Sequence, residues 1–529
     1  MPNLLLEAVL AVALTAGNVD SVPLYSDLGD LHVPITTSVP LAQRYFDQGM
    51  RLTYAFNHPE AIRSFRAALT ADSACAMCWW GIAFALGPNI NAAMDSASGV
   101  SAWEAATAAG RLAGGASARE QAMIGALRLR YAMPPASERA SQDSAYADAM
   151  LAVARAYPGD PEAATLAADA LMNLSPWFYW TPGGEPRPAT PLILELLEGV
   201  IAVQPDHPGA CHLYIHAVEA AEPEKAVPCA ERLAGLMPGA GHIVHMPAHI
   251  YIRVGRFADA VEANQHAVHA DETFLQDQRP TGIYAMGYYP HNFHFLAFAA
   301  TMSGQREIAL DAAGQLSGKV SEEIARDVMF MQTMIPYYTL SLVTFGEWTE
   351  VLAQALPPED LPVSRGLVRY ARGVAYAAKG RFAEAEYELV LLGQEFGRTT
   401  APEGRTVLAI AQDALRGEIA LRKGDAAGAV THFMAAQVLE DGLRYEEPPF
   451  WYYPIRNSLG QALLAAGRPA EAERVYEESL ALYPENVWSL AGLRNSLAAQ
   501  GKTAAARAVQ GRLDRAGASA DIELTASRY

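Results

Sequence analysis

The sequence is poor in positive charge: its 529 residues include 39 Lys and Arg against 58 Asp and Glu, a net charge of -19. With no basic block to follow a phosphate backbone, nucleic acid is excluded as a partner. Cysteine is scarce too. Cys75, Cys78, Cys211 and Cys229 are too few to staple a chain of this length and leave the redox compartment open. No run approaches the roughly 20 apolar residues of a membrane span. The apolar N-terminal stretch "LLLEAVLAVALTAG" (Leu4 to Gly17) has no Lys or Arg before it and is interrupted by Glu7, a pattern that favours a cytoplasmic chain over an exported one. A phosphate-binding glycine loop, a nucleophile elbow and a His-Glu-x-x-His zinc motif are all absent. In "CAMCWW" Trp79 stands where covalent haem attachment needs His. Cys75 and Cys78 therefore read as a disulfide or buried thiols, and Cys211 and Cys229 as core.

What is present is apolar and repetitive. Half of the residues are hydrophobic, and "YYPIRNSLGQALLAAGRPAEAERVYEESLALYPEN" is followed by a second copy of its pattern, the turn glycines Gly467 and Gly501 standing 34 residues apart. The same grammar marks Gly255, Gly304, Gly380 and Gly424, and it recurs in "NHPEAIRSFRAALTADS". On these motifs the chain resembles tetratricopeptide repeat proteins, which implies an all-α, right-handed solenoid of helix-turn-helix repeats. It is also similar to a group of bacterial repeat proteins carrying "CAMCWWGIAFALGPNIN", "IHAVEA", "GHIVHMPAHIYIRVGR", "YYPHN" and "EPPFWYYPIR", a resemblance that brings no activity with it.

The organisation expected is an N-terminal segment (1–38), repeats over 39–174, an aromatic Pro/Gly-rich loop (175–191), central His-rich repeats (192–318), C-terminal repeats (319–517) and a tail (518–529). A second long connection is expected from Thr273 to Tyr289. Long loops in repeat arrays are often binding loops.

His242, His245 and His249 stand at i, i+3 and i+7, so one helix would carry all three on one face. Counting back from the turn glycines puts His212 and His216 at the fifth and ninth positions of the preceding repeat. His291 and His294 fall at the second and fifth positions of the following one. In tetratricopeptide proteins these positions of the first helix face the concave groove, so the resemblance implies seven imidazoles in one patch of it, with Glu219 pointing the same way. Helix-borne histidines at this spacing can converge on an ion across adjacent helices packed about 8–10 Å apart. Neutral nitrogen donors favour copper or zinc, allow iron with Glu219 as a ligand, and argue against magnesium or calcium.

The reading that follows is a multi-histidine, dinuclear or larger metal centre. It would serve an oxidative metalloenzyme acting on a small organic substrate, with copper favoured and iron or zinc the alternatives. Glu219 and Tyr251 are the candidate catalytic residues, with Tyr214 and Tyr288 as weaker candidates near the metal. A metal store or carrier would use the same histidines, and a scaffold would instead hold a peptide in the groove and bind no metal. His32, His58, His207 and His432 lack partners at ligand spacing and read as hydrogen-bonding or solvent residues. His266 and His269 fall on an outer helix face. Asn89 and Asn91 read as a turn. Trp177 and its aromatic neighbours are placed either to shield a metal or to pack.

Overall fold

The computed structural model describes residues 22–278 and 282–529; the apolar N-terminal stretch lies outside them. Among the described residues there are α-helices, short helical turns and two isolated bridges, but no strand. No described helix is long and apolar enough to cross a membrane. The chain divides into two compact units, Met1–Ile250 with His266–Ala285, and Tyr251–Gln265 with Met286–Tyr529.

Each unit is a succession of packed helices, paired in the second unit through tight turns. In the second unit the turns use Gly255, Gly304, Gly380, Gly424, Gly467 and Gly501, all at positive φ, where a side chain meets the following carbonyl. The expected turn glycines are therefore the ones used. Gly346, in "TFGEWTE", joins them at φ 75°, although its surroundings lack the repeat grammar. At each such turn the residue after the glycine bonds back five residues, as Arg468 N does to Leu463 O at 2.9 Å.

Neighbouring pairs are keyed together by an aromatic ring held between glycines. A Cβ on Gly460 or Gly492 would lie within 2.3 Å of the Tyr476 ring, and Phe65 is pinched in the same way between Gly49 and Gly81 in the first unit. Both rings are fully buried, and burying one is worth about 1.5–3 kcal/mol. The small residues that these sequences repeat are thus the sockets of the packing.

One expectation is corrected. The connection expected over Thr273 to Tyr289 is largely helical: the Phe257–Gln278 helix runs through its first half, and a π-turn at Tyr284–Tyr288 leads into the helix Tyr289–Met302. The tail from residue 518 packs onto the second unit. Ser527 is buried and donates to Asn457 O at 2.9 Å, and Arg528 pairs with Glu418 at 2.5 Å. The "EEPPFWYYPIR" aromatics are core, with Trp451 and Tyr452 against Tyr370.

Candidate metal centre

The first unit gathers five of the seven histidines. His212 and His216 stand on the helix Pro208–Val218, and Glu219 is the residue that ends it. His242 and His245 stand on the short helix Gly241–His245 and His249 on Pro247–Arg253. The single helix expected for the last three is broken at Pro247, which has no N–H to continue the ladder. The break keeps the side chains together: His245 Nε2 lies 2.9 Å from His249 Nε2, and the His242 and His245 rings are 5.7 Å apart.

These six residues are buried, none more than 3% exposed, and their polar atoms form a chain. His212 Nδ1 is 2.6 Å from the carbonyl of Tyr54. A carbonyl only accepts, so Nδ1 carries the proton and Nε2 presents its lone pair. That Nε2 faces His216 Nε2 at 3.2 Å. His216 Nδ1 donates to Glu219 Oε1 at 3.3 Å, and Glu219 Oε2 lies 2.8 Å from His249 Nδ1. Ligating atoms of His212, His216 and His242 lie within 4.8 Å of one another, as do those of His216, Glu219 and His249.

Burial holds the His212 imidazole well below its usual pKa, and His216 beside it pushes the same way. Burial also lowers His216, against the pull of Glu219. Burial alone would raise the Glu219 carboxyl, but His249 and His216 outweigh it and hold the group down, at about 2. The result is a buried carboxylate beside imidazoles, of which His212 and His216 turn their Nε2 atoms toward each other.

Two aromatic rings cover the cluster, and both come from strained backbone. Phe56 sits at φ 54° and Trp177 at φ 67°. The Phe56 ring lies 4.4 Å from His212 and 5.4 Å from His242, centre to centre, and Trp177 stands edge-on to His216 at 4.9 Å. Sequence reasoning missed Phe56, although a signal existed. In "FNHPEA" it occupies the place of glycine in "GRPAEA", with Asn57 N bonding back to Leu52 O at 2.9 Å as at the glycine turns. The loop bearing Trp177 is tied down where Trp180 Nε1 donates to Ala217 O at 2.7 Å. Beside His212 a small cavity of about 20 Å³ is lined by Tyr54, Phe56, His58, Asn89 and Asp169, room for one water-sized molecule.

The remaining residues are placed as follows. His291 and His294 stand on the Tyr289–Met302 helix of the second unit. There the His291 ring packs on Phe295, and His294 packs on Tyr337 and Phe330. Tyr251 and Tyr288 also belong to the second unit, and Tyr251 is capped by the Arg256 guanidinium 4.3 Å from its ring. Tyr214 turns away from the cluster and donates to Glu198 at 2.8 Å.

Each histidine set aside by spacing has a polar neighbour: His32 Asp47, His58 Asn89, His207 Glu162 and His432 Asp413. His266 and His269 are exposed. Asn89 forms a turn with Ala92 and accepts from Asn91 N. Cys75 and Cys78 are joined as a disulfide, while Cys211 and Cys229 are buried and not joined in this structure.

Comparison with known proteins identifies one repeat from its sequence. Residues 455–486 match the tetratricopeptide repeat. The helix pair Ile455–Ala465 and Pro469–Leu482 is thus a tetratricopeptide repeat. No curated protein matches the chain. Among solved structures it is similar to a human IFIT1 dimer with m7Gppp-AAAA, at 13% identity over 91% of each chain and a TM-score of 0.32. Yeast Tom70 matches at 12% identity over 89% of this chain and 96% of its own, with a TM-score of 0.30. The Cut9 assembly with Hcn1 matches at 11% over 93% and 76%, also at 0.30. Likeness at this level concerns helical repeats and transfers no ligand.

Proposed function

We propose that the first unit holds a transition-metal centre on His212, His216, His242, His245 and His249, and that the protein is an oxidative metalloenzyme with copper as the favoured metal. The observation that carries this reading is the approach of Nε2 to Nε2 within two histidine pairs, at 3.2 Å for His212 and His216 and 2.9 Å for His245 and His249. In the first pair both Nδ1 atoms face acceptors, Tyr54 O and Glu219, so two Nε2 lone pairs meet and a cation between them would relieve their repulsion. A donor set of neutral imidazoles would favour copper or zinc and allow iron with Glu219 beside it.

Glu219 then acts as an orienting carboxylate. Its two oxygens engage the Nδ1 atoms of His216 and His249, which turns both Nε2 atoms inward, as the outer partners of metal-bound imidazoles generally do. Copper or iron in this place supplies one-electron chemistry toward a bound substrate or dioxygen. The residues of the chain exclude water through Phe56 and Trp177 and fix the tautomers through Tyr54 O and Glu219. Burial of the imidazoles disfavours a peptide scaffold, whose histidines must reach its ligand.

The test is elemental analysis of protein purified without a His-tag or chelating resin, beside a His216→Ala, His249→Ala double variant checked for helicity. One or more equivalents of copper, iron or zinc, lost in the folded variant, is expected. Protein that takes up none of these ions even on reconstitution overturns the reading.

A further inference from the structure

Cys211 and Cys229 face each other across the helices Pro208–Val218 and Val227–Leu236, with Sγ atoms 2.7 Å apart and both side chains buried. That separation is only about 0.7 Å beyond a disulfide bond of 2.03–2.05 Å. It is too short for a shared metal: two thiolates, each about 2.3 Å from one zinc, stand roughly 3.8 Å apart. From this contact we infer that Cys211 and Cys229 form a second disulfide, which pairs all four cysteines of the chain.

The bond forms by exchange with a low-molecular-weight disulfide such as oxidised glutathione. One cysteine thiolate attacks that disulfide and releases a glutathione thiolate. The second cysteine then attacks the protein sulfur of the mixed disulfide and releases the other glutathione. The two cysteines lose two protons and two electrons, and the glutathione disulfide gains them. Because the sulfurs are enclosed once the helices pack, the exchange belongs to folding, before the pair closes.

The covalent loop runs from Cys211 to Cys229, an 18-residue separation, and encloses His212, His216 and Glu219. It therefore clamps three members of the cluster to the next helix, a consequence that rests on the metal reading, whereas the bond itself does not. Arg232, with Nη2 3.9 Å from Cys229 Sγ, lies over the same pair.

The experiment is a thiol count on full-length protein folded in a glutathione redox buffer, denatured in acid, alkylated without reductant and mapped by peptide mass spectrometry. No alkylation before reduction, four alkylated cysteines after it, and a linked Cys211–Cys229 peptide are expected. Stoichiometric alkylation of Cys211 and Cys229 before reduction, with Cys75 and Cys78 protected, overturns the proposal, and so does any peptide joining Cys211 or Cys229 to Cys75 or Cys78. A Cys211→Ser variant should expose one new thiol, Cys229. Its continued protection would count against the pairing. The readout is independent of metal, so failure of the centre and failure of the bond are told apart.

Discussion

Glu219 Oε2 lies 2.8 Å from His249 Nδ1, joining the end of one repeat helix to the next repeat's broken first helix, while Oε1 holds His216. In the proposed centre this carboxylate acts through the two imidazoles. Glu219→Gln should therefore weaken metal binding about 10- to 100-fold while leaving the stoichiometry at saturation unchanged. Competition with a chelator of known affinity measures this, and an unchanged affinity would show that Glu219 does not position the ligands.

Phe56 occupies a left-handed turn position that its equivalents give to glycine. Phe56→Gly relieves about 1–2 kcal/mol of backbone strain but loses a buried ring worth about 3–5 kcal/mol. A net destabilisation of about 2 kcal/mol is expected in chemical denaturation. If Phe56→Gly proves more stable than the parent, the ring contributes nothing by covering His212 and His242.

Two glycines should respond in opposite directions to the same substitution. Gly125 lies exposed within the helix Ala118–Arg128, and a Cβ there meets nothing within 4 Å. Gly125→Ala should stabilise by about 0.5–1 kcal/mol. Gly467 has equally open space but φ 71°, so Gly467→Ala should destabilise by about 1–2 kcal/mol. Thermal melts of the pair check the sign, and equal shifts would refute the turn assignment.

His294 is buried against Tyr337 and Phe330, and its Nδ1 has no hydrogen-bond partner. Burial lowers its pKa from 6.5 to about 3, so the folded chain keeps the ring neutral while the unfolded chain protonates it. Stability from this group is complete above pH 6.5 and falls as the pH drops toward 3, by at most about 1.4 kcal/mol per pH unit. His294→Phe should flatten the acid side of the stability profile. An unchanged profile would assign the acid sensitivity to other groups.

The repeat architecture was legible because a glycine turn has one conformational reason for its residue, and six such glycines announced themselves by spacing. Gly346 did not, since "TFGEWTE" keeps the turn without the flanking pattern. The first unit was harder to read for the same reason, with Phe56 standing where the eye looks for glycine. His212, His216, His242, His245, His249 and Glu219 could be named from register alone. The hydrogen bond from His212 to Tyr54 O could not, because a backbone carbonyl 158 residues away leaves no mark in side-chain spacing. The division of labour at Glu219 depends on which oxygen meets which nitrogen, and spacing carries no such information. Pro247 did announce the helix break, whereas a count of i, i+3 and i+7 passes over it.

If the proposed centre holds an ion, the loop over the histidines would also set a rate. Trp177 stands on His216 while Trp180 is hydrogen-bonded to the end of the helix that carries His212 and His216. In the proposed centre, an ion entering or leaving from that side would have to wait for the 175–191 segment to lift, and its exchange would then follow the frequency of a local opening rather than the concentration of ion outside. Retention of metal during purification would then report on how seldom Trp180 lets go.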